Sequence, residues 1–103
     1  MKIFISQPMN GKTYDEKVSQ RESALAKFKK SKFVRDQDIE VVNNKISASF
    51  SGNRVEFLGK AISEALSIAD VAIFLPDWQE YAGCRIEHAV AASYSIKTFY
   101  INS

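Results

Sequence analysis

The chain has 103 residues, of which 46% are apolar and 25% are charged. These values predict a single globular domain over residues 1–103, with no room for a separate lid domain. The formal net charge of +2 is too small to favour nucleic acid or a membrane surface as a partner. The single cysteine, Cys84, excludes an internal disulfide. The absence of an internal disulfide is consistent with a reducing compartment, and the N-terminus lacks a signal-peptide pattern. Together these features predict a cytoplasmic protein.

The first half of the chain predicts two strands separated by a helix. Residues 2–6, KIFIS, are typical of a short buried strand, and the proline and glycine of the following QPMNGK predict a loop. A helix is expected over residues 14–30, because apolar residues recur there on one face. That face contains Tyr14, Val18, Leu25 and Phe28. Residues 38–43 predict a second strand, and the Ser- and Asn-rich residues 44–53 predict a loop.

The second half repeats the same alternation of helix and strand. A helix is expected over residues 55–66, followed by a fully buried strand at 71–75, whose sequence VAIFL is continuously apolar. The third helix is expected over residues 82–95, and a fourth strand at 98–101 ends the pattern. The predicted inward residues of these two helices are Val55, Leu58, Ile62, Ala65 and Leu66, then Ile86, Ala89, Val90 and Ser93.

The order β-α-β-α-β-α-β predicts an α/β fold. Strands that alternate with helices form a parallel sheet with helices on both faces, as in small flavodoxin-like or Rossmann-like three-layer domains. We expect four strands in the order 2-1-3-4. Ligands of such sheets bind beyond the carboxyl ends of the strands, where the order reverses. Here that place lies between the SQPMNGK loop after strand 1 and the PDWQEYAG loop after strand 3.

Four residues near the second loop are able to carry chemistry, and each has a plain structural alternative. Glu87 is either a functional carboxylate or a surface residue stabilised by the helix dipole. Trp78 either stacks on a flat ring such as a nucleobase or covers the sheet edge. Cys84 is interpreted as a small packing residue, because no histidine is placed to act as its base. His88 is interpreted as an ordinary helix residue, and no metal or cofactor is expected.

Two stretches of the chain resemble a known group of proteins. The sequences MKIFISQPMNGKT and LGKAISEALSIADVAIFLPDWQEYAGCRIEHAVA resemble a family of short bacterial and phage domains. That family is similar to the nucleoside 2-deoxyribosyltransferases and the 2'-deoxynucleoside 5'-phosphate N-hydrolases. The resemblance covers about the first 18 residues and roughly residues 55–95.

The resemblance implies a role for Glu87. In the enzymes, a glutamate in a Gly-x-x-x-Glu stretch after the third strand attacks the sugar C1' and expels the base. Gly83 and Glu87 match that spacing. A carboxylate is a competent nucleophile towards an oxocarbenium-like centre, so the implied chemistry is consistent with the residue type.

Other positions depart from the enzyme pattern. The enzymes carry an aspartate on the second helix that helps to protonate the leaving base, and this chain has Ile62 there. Six residues before the nucleophile they have Asp or Ser, where this chain has Tyr81. The hydrolases' aromatic hydroxyl on strand 1 corresponds to Phe4, and their phosphate-loop Ser and Arg correspond to Pro8 and Asn10. Without leaving-group protonation we expect either slow turnover or binding alone.

The sequence therefore predicts a nucleoside- or nucleotide-binding protein that cleaves an N-glycosidic bond or transfers deoxyribose through Glu87. The alternative is a non-catalytic nucleotide-binding or sequestering module of phage or prophage origin. A third alternative is a structural or interaction domain. The predicted substrate-binding residues are Phe4, Gln7, Pro8, Met9, Asn10, Gly11, Asp77, Trp78 and Gly83. A homodimer or larger assembly is expected, because Phe33, Phe50, Phe57 and Tyr100 exceed what one small core hides.

Overall fold

Strands and helices alternate along the chain in this computed structural model, which describes residues 1–7, 14–31, 39–43 and 54–101. Short 3₁₀ turns, Leu66–Ile68 and Trp78–Glu80, stand before and after the third strand. The elements are β1 (Lys2–Ser6), α1 (Tyr14–Lys29), β2 (Glu40–Val41), α2 (Arg54–Glu64), β3 (Val71–Phe74), α3 (Ala82–Ser93) and β4 (Lys97–Tyr100). The loop expected at 44–53 lies outside the described residues. Within the described ranges, no helix is long and apolar enough to cross a membrane.

The four strands form one parallel sheet in the order β2-β1-β3-β4, which confirms the predicted topology. The central pair is in register from Ile3 opposite Val71 to Ser6 opposite Phe74. These two strands therefore end side by side. The carboxyl ends of β1 and β3 lie where the strand order reverses, and ligands of such sheets bind at that place.

Helices cover both faces of the sheet and give it three layers. Side chains alternate across a strand, so Ile3 and Ile5 pack with Ala24 and Phe28 of α1 on one face. On the other face, Phe4 and Phe74 pack with alanines of α2 and α3. Because β1 and β3 are covered on both sides, their side chains from Ile3 and from Val71 onwards are all buried.

The third helix presents a different face to the sheet from the one predicted. Its buried residues are Cys84, Glu87 and Ala91, whereas Ile86 is 45% exposed. Ala89 and Ser93 are also exposed, and Val90 is half-buried. One residue turns a helix by about 100°, so the prediction was wrong by about one position. The small side chains of Cys84 and Ala91 let the helix approach the sheet, and Glu87 finds a hydrogen-bond partner there.

The face predicted for α2 needs a smaller correction. Val55 was assigned to the inward stripe but is 78% exposed. Ala61, which the prediction omitted, is buried together with Ala65 and Leu66. The second half of α2 makes these contacts with the sheet, and Val55 in its first turn does not join the cluster.

The aromatic residues on which the homodimer prediction depended are only partly described. Phe57 is half-buried, and Tyr100 at the end of the edge strand β4 is half-exposed. Phe33 and Phe50 lie outside the described residues. The assembly state stays a prediction.

Asn43 extends the pairing of β1 and β2 beyond the last residue of β2. Its side-chain Oδ1 accepts a hydrogen bond from the Ile5 backbone N–H at 3.1 Å, and its Nδ2 donates to the Ile5 carbonyl at 2.7 Å. Asn43 and Ile5 are both buried. One amide side chain thus satisfies both backbone groups of Ile5, which directly precedes Ser6 at the carboxyl end of β1.

Asn43→Ala is expected to destabilise the protein by about 2–3 kcal/mol, because it leaves a buried N–H and a buried carbonyl without partners. Urea unfolding followed by circular dichroism measures the change. Gln20→Ala is a matched control that also removes an amide. Gln20 is half-buried on α1, and its Oε1 accepts only a long hydrogen bond of 3.5 Å from Nε2 of Gln7. The expected loss in the free energy of unfolding for Gln20→Ala is therefore below about 0.5 kcal/mol. Equal losses in the two variants would contradict a special role for Asn43.

Candidate functional site

Glu87 lies against the carboxyl end of β1. It belongs to α3 and is 8% exposed. Ser6, the last residue of β1, is fully buried, and its Oγ donates a hydrogen bond of 2.7 Å to Oε1 of Glu87. Because Ser6 is paired with Phe74 of β3, this carboxylate lies beside both central strand ends. The helix and the sheet thus bring together two residues that are 81 positions apart in the sequence.

The two oxygens of the Glu87 carboxylate have different surroundings. Oε1 is held by Ser6, whereas Oε2 has no hydrogen-bond partner among the described residues. In that part of the chain, no buried side-chain nitrogen or oxygen is left without a partner. Glu87 as a whole keeps 8% of its surface exposed. One oxygen is fixed by Ser6, and the other has no hydrogen-bond partner among the described residues.

The environment of Glu87 favours its protonated form. Burial raises the pKa of Glu87 from its ordinary value of 4.5 to about 7, and the hydrogen bond from Ser6 acts in the opposite direction. Removal of water disfavours a charge, and one hydroxyl donor offsets only part of that cost. Near neutral pH the carboxyl group is therefore present in both protonation states, as a general acid or base requires.

Cys84 lies one turn before Glu87 on α3 and is buried. Burial raises the pKa of the Cys84 thiol, and the charge of Glu87 raises it further, while the Ser6 hydroxyl acts in the opposite direction. A thiol in such a site is a poor nucleophile, because its thiolate form is disfavoured. The structure is therefore consistent with the interpretation of Cys84 as a small packing residue.

Four aromatic residues pack together where β3 and β4 end, namely Phe74, Trp78, His88 and Tyr100. Trp78 stacks on the His88 ring with 4.1 Å between ring centroids, and the edge of Phe74 meets the same imidazole at 5.0 Å. Nε2 of His88 is 2.6 Å from the Tyr100 hydroxyl, so one of these two groups donates a hydrogen bond to the other. We call these four residues the aromatic cluster. Phe74 is paired with Ser6 in the sheet, so the cluster lies next to the strand end that holds Glu87.

Trp78 lies over the end of the sheet, and its stacking on a bound base stays a prediction. One face of its indole is covered by His88, and the ring packs against Phe74 at 5.5 Å. The side chain is nevertheless only half-buried. Trp78 covers the end of the sheet and also contributes aromatic surface at the candidate site.

A polar network lies at the end of β1 on the side of α1. The Gln7 side chain is buried, donating from Nε2 to the Lys17 carbonyl at 2.5 Å and accepting at Oε1 from Nη2 of Arg21 at 3.3 Å. Arg21 also donates from Nη1 to the Asn43 carbonyl at 3.5 Å. The Gln7 side chain therefore serves the contact between α1 and the sheet.

The structure places the remaining predicted site residues in different surroundings. Phe4 is 1% exposed in the core, so the expectation that it contacts a bound base or sugar is corrected. Its strand is covered on both faces, and a side chain at that depth serves packing. Asp77 is exposed and adopts a left-handed backbone with φ of 67°. Gly83 is half-buried in the first turn of α3. Pro8, Met9, Asn10 and Gly11 lie outside the described residues.

The positions that depart from the enzyme pattern stay unlike it in the structure. Ile62 is half-buried against the core cluster that contains Phe4. Glu64, the nearest carboxylate on α2, is exposed and lies 4.0 Å from the Lys60 ammonium. Tyr81 precedes α3 as its N-cap residue, with no side-chain hydrogen bond to the helix. On the described part of α2, no carboxylate occupies the place of the leaving-group acid.

Sequence reasoning missed two residues at the site. Ser6 was treated only as the end of a strand pattern, and Arg21 only as part of a helix. The signal for Ser6 was present: a hydroxyl residue follows Phe4 by two positions and therefore faces the same side of the sheet. For Arg21 the sequence holds no comparable signal, because its partners Gln7 and Asn43 follow β1 and β2 and are distant in the sequence.

Comparison of the chain with protein-family models, curated proteins and solved structures gives no significant match.

Glu87→Gln is expected to make stability less dependent on pH. The folded-state pKa of Glu87 lies above the unfolded value, so its contribution is fully present below about pH 4.5 and is lost as the pH rises to about 7. The variant should match the wild type near pH 4.5 and exceed it by about 2–3 kcal/mol at pH 8. Urea unfolding at each pH measures the difference.

Glu64→Gln is the matched control for this experiment, because Glu64 is an exposed helical glutamate. Its effect on stability should stay within about 0.5 kcal/mol at both pH values. A wild type that is more stable than Glu87→Gln at pH 8 would contradict the proposed burial of Glu87.

Proposed function

We propose that the protein binds a nucleoside, a nucleotide or a related N-riboside at the carboxyl ends of β1 and β3, and that Glu87 faces the sugar and reacts at C1'. One observation carries the proposal: a carboxylate buried at the ends of β1 and β3, whose Oε1 is held by Ser6 while Oε2 has no hydrogen-bond partner among the described residues. Burial of a carboxylate at a strand end costs stability, and such costs concentrate at functional sites. The Gly-x-x-x-Glu spacing supports the choice of N-glycosidic chemistry.

The reaction uses the ionised form of Glu87. Oε2 attacks C1' and forms a glycosyl ester, while the C1'–N bond breaks and its electron pair leaves with the base, which takes a proton from water. Water then cleaves the ester in a hydrolase, and a second base cleaves it in a transferase. Both displacements take place at the same carbon, so the configuration at C1' is retained.

The surroundings of Glu87 suit the other parts of such a ligand. The accessible members of the aromatic cluster, Trp78 and Tyr100, offer a surface for a flat base. The backbone of Gln7, whose side chain is engaged by α1, begins the loop expected to meet the polar end of the ligand. Base and sugar would then lie on either side of the carboxylate.

A second candidate function is a non-catalytic nucleotide-binding or sequestering module. The observation that favours it is the packing of Ile62 where the enzymes hold their leaving-group acid. General acid catalysis contributes roughly two to four orders of magnitude in rate. A site without it retains the means to bind a nucleotide while turnover becomes very slow.

Glu87→Gln distinguishes the two candidates. If the protein is an enzyme, the variant should lose base release while nucleotide binding stays within about tenfold, or 1.4 kcal/mol. The wild-type rate should rise with pH around 7, because the nucleophile is the ionised carboxylate. Chromatography of free base from ribo- and deoxyribonucleosides and their 5'-monophosphates, with and without an acceptor base, measures both reactions.

Glu64→Gln again serves as the control and should retain the wild-type rate. Binding without base release in the wild type would support the non-catalytic module. A wild type that binds none of these compounds in titration calorimetry would refute both candidates.

Gly83→Ala tests whether a ligand approaches the start of α3. A Cβ added at Gly83 meets no protein atom within 4 Å, so the free protein should keep its stability or gain about 0.5 kcal/mol. A ligand packed against this backbone should lose tenfold or more in affinity. Gly59→Ala on α2 is a matched control whose added Cβ also meets nothing within 4 Å. Wild-type affinity in Gly83→Ala would place the ligand elsewhere.

A further inference from the structure

Ser6 stands at a point where the strand pattern changes from apolar to polar. Phe4 and Ser6 share one face of β1, because side chains two apart point to the same side of a strand. Phe4 packs there with alanines from α2 and α3. Ser6 is the next residue on that face and is also fully buried, but it meets the carboxylate of α3 instead of apolar atoms.

Few hydrogen-bond partners are within reach of a serine hydroxyl that is buried in this way. Its hydroxyl donates one hydrogen bond, and that bond goes to Oε1 of Glu87 at 2.7 Å. The length is typical of a hydroxyl that donates to a carboxylate. The donor comes from the central sheet and the acceptor from a helix packed on it, so the bond sets the position of the carboxylate relative to β1 and β3.

From this geometry we infer that Ser6 is a positioning residue: it fixes Oε1 of Glu87 and so selects Oε2 as the oxygen that reacts with the ligand. The inference depends on the proposed function for the role of Oε2. It names a residue that the Gly-x-x-x-Glu spacing does not contain. Without Ser6 no described residue donates a hydrogen bond to the carboxylate, so no donor orients its last torsion.

The hydrogen bond also acts on the ionisation of Glu87. A donor stabilises the charged form of a carboxylate, and the Ser6 bond accordingly lowers the pKa of Glu87 against the larger effect of burial. The titratable neighbours on α3 are Cys84, whose own thiol pKa is raised, and His88, which is turned towards Tyr100. Ser6 itself does not titrate, so its removal changes the carboxyl group without adding or removing a charge.

Ser6→Ala tests the assignment without any need for turnover. The carboxyl carbon of Glu87 is followed by carbon-13 NMR in protein labelled at glutamate, with its signal assigned by comparison with Glu87→Gln. Loss of the donor should move the titration midpoint of Glu87 upwards by roughly one pH unit. Where base release is measurable, the rising limb of its pH profile should move by the same amount and the plateau rate should fall.

Ser67→Ala is the matched control, because it removes an exposed serine hydroxyl that donates to the Ser63 carbonyl at 2.7 Å. The Glu87 midpoint should not move in that variant. If Ser6→Ala does not fold, Ser6→Cys replaces the hydroxyl by a weaker donor and should shift the midpoint in the same direction by less.

The outcomes separate this inference from the function on which it depends. A midpoint that stays within about 0.2 units in Ser6→Ala overturns the role of Ser6, whatever the activity. A shifted Glu87 midpoint in a protein that releases no base supports Ser6 as the residue that positions Glu87 and overturns the proposed N-glycosidic reaction. A purely structural serine would lower stability equally at all pH values and leave both titration and pH profile unchanged.

Discussion

A carboxylate withdrawn from water between a strand and a helix is the constraint on which the carboxyl end of this sheet depends. Glu87 occupies the inward face of α3, while Ile86 beside it is left half-exposed. Burial of an isoleucine side chain contributes about 1.5–3 kcal/mol, so the fold forgoes that gain and accepts the cost of a buried acid. The Ser6 hydroxyl offsets part of the cost. A buried acid that costs stability in this way supports the role proposed for Glu87.

The rest of the site follows from how α3 packs on the sheet. The small side chains of Cys84 and Ala91 allow the helix to approach β1 and β3 closely enough for the bond between Ser6 and Glu87. The next residue, His88, then reaches the Tyr100 hydroxyl and supports Trp78. Asn43 fixes the end of β1 through the Ile5 backbone, and Arg21 fixes it on the α1 face through the Gln7 side chain.

The sequence predicts the architecture well because the architecture depends on patterns within single segments. The alternation of strand and helix periods predicted the parallel sheet and its order. The predicted limits of β1, residues 2–6, are those of the observed strand. The face of α3 depends instead on a partner 81 positions away, which no periodicity contains. The number of apolar residues favours the face with Ile86 as the buried face of α3. The sequence pattern contains no sign that Ser6 provides a hydrogen-bond partner for a buried Glu87. Phe4 was misplaced for a related reason, since both faces of its strand are covered.

The stacking of Trp78 on His88 has an optical consequence. Trp78 is the single tryptophan of the chain, so all indole fluorescence of the protein originates beside the candidate site. The emission of an indole depends on the groups that touch it, and here the His88 ring stacks on the indole. Unfolding removes that contact, and a compound that packs against the exposed part of the indole changes its surroundings. Fluorescence is therefore a sensitive monitor of this site, but it needs a second, independent probe before a change is assigned to either event.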